Sequence, residues 1–177
     1  MNVVEAKVHG LVVEHKTQQN VVVLKESGGE RIVPIWIGPG EAMAIKRLLA
    51  GEEFPRPLTH DLIALVVEGL KARVTRVLIS DLRDNTFFAT LLIEREKDVL
   101  SIDARPSDTI AVALRTKAPI FVNESLLQPP PSKEAESDDE PPPPDEPERP
   151  LTDEEKAEQL RRFLEKLDPE DFGKFQM

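Results

Sequence analysis

One pattern occurs twice in this chain, and it dictates where strands must give way to helices. The first copy reads Ile35-Trp36-Ile37-Gly38-Pro39-Gly40-Glu41-Ala42-Met43-Ala44-Ile45. The second reads Leu100-Ser101-Ile102-Asp103-Ala104-Arg105-Pro106-Ser107-Asp108-Thr109-Ile110-Ala111-Val112. Each is an apolar, strand-like run, then a proline, then an acid two residues later, then a small and apolar helical run. Proline suits the first helical position, where a missing N–H costs nothing. Glu41 and Asp108 then fall at the third position, facing the unpaired N–H groups and the positive end of the helix dipole. The recurrence points to an internal duplication. Two such junctions would either line one pocket with acids or simply be two well-capped helices.

Between the junctions the strand signals are strong. Val3 to Glu14 is valine-rich and loosely alternating, Asn20–Glu26 is a strand, Ser27-Gly28-Gly29 a turn, and Glu30–Ile37 a returning strand. Pro34 places that strand at a sheet edge or makes it end there. Glu41–Ala50 is a helix stopped by Gly51. Thr59 is placed to cap a second helix running to about Leu70, with Ile63, Val66, Val67 and Leu70 on one face. Ala72–Asp81 and Thr86–Glu94 form a hairpin around Arg83-Asp84-Asn85. Val99–Ala104 is a strand, Pro106–Thr116 a helix and Ile120–Val122 a short last strand. The expected fold is α+β: a compact, mixed-sheet single domain with three helices.

Charge divides the chain. Residues 1–127 carry 16 Lys and Arg against 17 Asp and Glu; residues 128–177 carry 7 against 16, so nearly all of the net charge of −10 lies in the tail. Residues 128–150 hold nine prolines among acids and serines, which no core can absorb, and read as a disordered linker. Residues 151–177 open on a capping box, Thr152 with Glu155, and place Leu160, Phe163, Leu164 and Leu167 in an amphipathic stripe. Such a helix needs the body, a second copy or a protein partner to dock on. Zero cysteines exclude disulfides, thiol catalysis and thiolate metal ligands. With no apolar run near the ~20 residues that span a bilayer and no signal-peptide pattern at the start, the expected location is the cytoplasm, with no membrane partner.

Pro34-Ile35-Trp36-Ile37-Gly38 with Glu41-Ala42, then Thr59-His60-Asp61-Leu62, then Ala104-Arg105-Pro106-Ser107-Asp108 keep an order and spacing that resemble the bifunctional nuclease domain family over roughly residues 3–127. The resemblance implies a compact, often dimeric domain in a family credited with hydrolysis of DNA and RNA. It transfers no catalytic residues, and it does not reach the tail.

Phosphodiester hydrolysis needs an activated water and charge stabilisation at phosphorus. Carboxylates holding Mg²⁺ or another divalent cation supply both. The candidate catalytic residues are Glu41, His60, Asp61, Asp103, Arg105 and Asp108, with Asp103, Asp108 and Glu41 as metal ligands, His60 as acid or base, and Arg105 as a fork for a phosphate oxygen. Structural alternatives stand beside each. Glu41 and Asp108 would serve as dipole partners, Arg105 as an ion-pair partner of Asp103 or Asp108, and His60 and Asp61 as ordinary first-turn residues. Trp36 reads as core or subunit contact before base-stacking platform. The competing function is a non-catalytic regulatory or protein-binding module. A mixed sheet has edges to cover, and Trp36 with Phe87-Phe88 would add apolar surface, so a homodimer is expected.

Overall fold

A computed structural model describes residues 2–14 and 18–130, together with Glu158 and Arg161. Its body is α+β: seven strands form one mixed sheet, with three helices packed on it. The strands are β1 (Val3–Val13), β2 (Asn20–Glu26), β3 (Ile32–Ile37), β4 (Ala72–Arg83), β5 (Thr86–Arg95), β6 (Asp98–Ala104) and β7 (Ile120–Asn123). The helices are α1 (Pro39–Leu49), α2 (Thr59–Gly69) and α3 (Pro106–Thr116). The sheet order is β3-β2-β1-β7-β4-β5-β6. β7 pairs antiparallel with β1 and parallel with β4, and every other pair is antiparallel.

The repeated pattern has a structural counterpart. β1-β2-β3 and β4-β5-β6 are two antiparallel meanders whose outer strands, β3 and β6, each run into a proline-opened helix. Pro34 lies in edge strand β3, where its missing N–H costs least. The second meander turns at Asp84 and Asn85, both at positive φ (46° and 60°), between the paired Arg83 and Thr86. Asp and Asn tolerate that geometry in a two-residue hairpin turn. The four-residue β7 joins the meanders at the centre of the sheet.

In a flat sheet, six strand spacings would hold β3 and β6 about 29 Å apart. Yet Arg105, one residue past β6, pairs with Glu41, four residues past β3, at 2.8 Å. The sheet therefore curls strongly, and the two helix starts meet. The main core lies between sheet and helices. Val22, Leu24, Val33, Ile35, Val77, Ile79, Ala89 and Leu91 face Ile45 of α1 and Ile110 to Ala113 of α3. A second, smaller cluster of Val12, Val21, Val23, Ile32 and Trp36 lies on the other face of β1–β3.

Two details differ from expectation. In α2 the inward residues are Ile63 and Val67, one i,i+4 ridge, while Val66 and Leu70 are exposed with Leu62 and Leu65. The helix is apolar nearly all round, so periodicity could not say which side packs. Trp36 is buried and adds no surface for a dimer, whereas Phe88 remains partly exposed. Backbone pairing continues to Gln128, which bridges Ile32. Among the described residues no helix is long and apolar enough to cross a membrane. Most of the expected linker and the apolar stripe of the terminal helix lie outside the described residues; Glu158 and Arg161 are helical and exposed.

Candidate functional site

The helices open where the sequence places them. Gly38 and Arg105 are the extended N-cap residues of α1 and α3, Pro39 and Pro106 follow, and Glu41 and Asp108 sit in the first turns. Gly38 has no Cβ, and a Cβ there would collide with the Glu41 carboxylate, which folds back over it. From that position Glu41 Oε1 accepts from Arg105 Nη1 at 2.8 Å. Arg105 also grips Asp108 with two prongs, Nε to Oδ2 at 2.7 Å and Nη2 to Oδ1 at 3.2 Å. Bidentate pairing of this kind fixes the guanidinium plane.

α2 brings His60 over the same acid. His60 Nε2 lies 3.4 Å from Asp108 Oδ1. His60 and Arg105 together hold the Asp108 carboxyl at about 2, below its ordinary 3.8, against the opposing effect of burial. Asp108 in turn raises Arg105 above its already high value. The result is a chain of contacts, Glu41–Arg105–Asp108–His60, drawn from three helices.

Asp61 points elsewhere. α2 begins one residue earlier than expected, with Leu58 rather than Thr59 as N-cap. Leu58 offers no side-chain acceptor, and its own backbone N–H donates to Asp61 Oδ2 at 3.0 Å. The other oxygen accepts from Arg115 Nε of α3 at 2.9 Å. Asp61 thus caps α2 and ties it to α3.

Five of the six expected residues line one open cavity of about 580 Å³: Glu41, His60, Asp61, Arg105 and Asp108. A second cavity of about 640 Å³ adjoins it across Phe54, Pro57 and Asp61. Asp103 is the exception. It lies on edge strand β6, opposite Thr90, on the face turned away from the helices. Strand alternation decides this: Ala104 and Ile102 share the helix-side face with Ala89 and Leu91, so Asp103 must face the other way.

The three acids expected to hold a metal therefore do not meet. Arg105 occupies the space between Glu41 and Asp108, and Asp103 is on the far face. Among the described residues no three His, Cys, Asp or Glu side chains come together as a metal-binding group. The donor set does not fit a resident Mg²⁺. Ser107, at the same junction, is buried in the packing of α3. Three lining residues carried no local signal in the sequence. Arg47 lies 5.2 Å from the Phe54 ring centroid and 3.8 Å from Glu52, so the loop after α1 folds back onto the helix to form one wall of the cavity.

The family model for the bifunctional nuclease domain matches residues 22–134. An uncharacterized protein of Mycobacterium tuberculosis is 39% identical over 168 residues, covering 95% of this chain and 97% of its own length. That match omits no more than nine of the 177 residues, so it takes in most of the acidic tail. Bifunctional nuclease 1 of Oryza sativa subsp. japonica is 27% identical over 111 residues, or 60% of this chain and 34% of the plant protein. Bifunctional nuclease 2 of Arabidopsis thaliana is 28% identical over a stretch of the same length. The match to the family model spans most of the chain and includes both proline-opened junctions and the His60 segment: the chain belongs to the bifunctional nuclease domain family.

Proposed function

We propose that the chain hydrolyses phosphodiester bonds of DNA or RNA at the cavity between the starts of α1, α2 and α3. The observation that carries this reading is the Glu41–Arg105–Asp108–His60 chain, assembled from three helices at an open pocket. With Nε2–H donated to Asp108, the Nδ1 of His60 is the basic nitrogen, suited to take a proton from attacking water. Asp108 positions the ring and stabilises the cation that forms. Arg105, half-exposed at the rim, is the group that a phosphate oxygen would meet, and it would favour the charge developing at phosphorus. The adjoining cavity gives a polymer room beyond the cleaved bond. Asp61 serves the scaffold, and Asp103 has no part. We propose a cytoplasmic location, with which the cysteine-free sequence is compatible. We infer a homodimer formed through the apolar residues exposed on α2 and β6.

A specific observation favours a second reading, a non-catalytic binding module. The cavity wall carries Arg47 and Arg105 against Glu41, Glu52, Asp61 and Asp108, an acidic balance that discourages a polyanion. Single-turnover cleavage of labelled single-stranded DNA and RNA by the full chain separates the two. Cleavage that falls about 10²–10³-fold in Arg105→Gln supports the hydrolytic site. No cleavage by the wild-type chain leaves the binding module.

A further inference from the structure

The second cluster of the sheet is covered, and no helix of the body covers it. Val12, Val21, Val23, Ile32 and Trp36 face away from α1, α2 and α3, whose inward residues belong to the main core. Even so, Val21 and Val23 are 0% exposed and Trp36 4%. The same face of the sheet shows what an uncovered position looks like: on β6, Val99, which shares that face with Asp103, is 65% exposed. The turn after β1 lies at one end of the cluster, beside the buried Glu14, whose Oε2 accepts from Trp36 Nε1 at 3.5 Å. Ile32 pairs with Lys25, five residues along β2 from Asn20, or about 17 Å away. A turn of a few residues cannot shield both ends.

We propose that the C-terminal stripe, Leu160, Phe163, Leu164 and Leu167, covers this face within its own chain. Three observations converge on that occupant. The body ends at the cluster: Gln128 exchanges both backbone hydrogen bonds with Ile32, at 2.8 Å each. The proline-rich stretch that follows is long. At ~3.1 Å per extended residue, the twenty residues 131–150 reach about 60 Å, ample to carry a helix back across three strands. Glu158 and Arg161 are helical and exposed. On a helix they sit roughly opposite the stripe, leaving it free to face the sheet. The tail also accompanies the body in the mycobacterial relative. Tethering keeps the helix at high local concentration, which favours its own chain over another. This inference is independent of the nuclease reading, since the cluster lies on the far face of the sheet from the cavity.

Trp36 is the only tryptophan and the chain has no cysteine, so the intact protein supplies its own probe. Leu160→Asp with Leu164→Asp in the full chain is expected to shift Trp36 emission to the red. Its quenching by acrylamide should rise several-fold, with far-UV circular dichroism still showing the sheet. Emission and quenching unchanged from wild type overturn the proposal. A nitroxide on Arg161→Cys, at an exposed position that leaves the stripe intact, is expected to quench Trp36; full emission in that labelled chain also overturns it. The same labelled chain carrying Trp36→Phe, refolded with unlabelled wild type, is expected to leave emission unchanged. Quenching in that mixture would place the stripe on a second copy and overturn docking within the chain.

Discussion

Arg105 stands in the second repeat where Gly38 stands in the first, and that difference makes the site. A glycine leaves room for Glu41 to fold back, and an arginine reaches across to meet it while holding Asp108. Because Asp108 titrates at about 2 rather than its ordinary 3.8, its charge stabilises the fold fully above about pH 4. That contribution is lost as pH falls through 2. Thermal melts should therefore show wild type losing more stability than Asp108→Asn between pH 4 and pH 2. At pH 7 the variant should be less stable by about 1 kcal/mol, a modest figure because the site is partly exposed. Equal pH slopes would mean that the carboxylate gains nothing from its partners. Asp61→Ala should cost about 1 kcal/mol through its lost cap and ion pair. Below the melting temperature that variant should keep its cleavage rate, since Asp61 faces Arg115 rather than the His60 chain.

At the scale of elements, what the sequence made legible was local, and what it hid was long-range. Proline at the first helical position and an acid in the first turn marked α3 to the residue, while α1 starts two residues before the expected Glu41, at Pro39 itself. Asp84-Asn85 marked the hairpin. The placement of β7 between β1 and β4 was not legible, because four residues, Ile120–Asn123, carry no clue to their neighbours. The inward side of α2 was hidden for a different reason: its apolar residues surround it. The residues that line the cavity together were legible where helix starts held them. Arg115 and Arg47 were not, because their partners are set by how helices pack. Asp103 lies away from the cavity because the alternation of β6 turns it to the other face, which its nearness in sequence to Asp108 conceals. Two substitutions test the packing. Ile45→Ala, at a fully buried core position of α1, should cost about 3 kcal/mol in denaturant unfolding. Lys117→Gly, at the left-handed C-cap of α3 (φ 58°), should gain roughly 0.5 kcal/mol by relieving that geometry. A loss there would mean that the Lys117 side chain contributes more than its backbone strain costs.

For the whole molecule, the curled sheet brings two distant junctions together, and exposed apolar residues lie where the proposed dimer would form. Leu62, Leu65, Val66 and Leu70 on α2 and Leu100 and Ile102 on the free edge β6 are exposed, and the proposed dimer would bury them. Light scattering at micromolar concentration should give twice the chain mass of 19.8 kDa, and Leu62→Lys with Leu65→Lys should shift it toward one. A wild-type monomer at that concentration would remove the dimer. Hydrolysis itself is best tested by initial rates of oligonucleotide cleavage for wild type, His60→Ala and Asp103→Asn side by side. A base in the cavity predicts a loss of about 100-fold or more in His60→Ala and an unchanged rate in Asp103→Asn. A His60→Ala chain that cleaves as fast as wild type would contradict the assignment of the chemistry to this site.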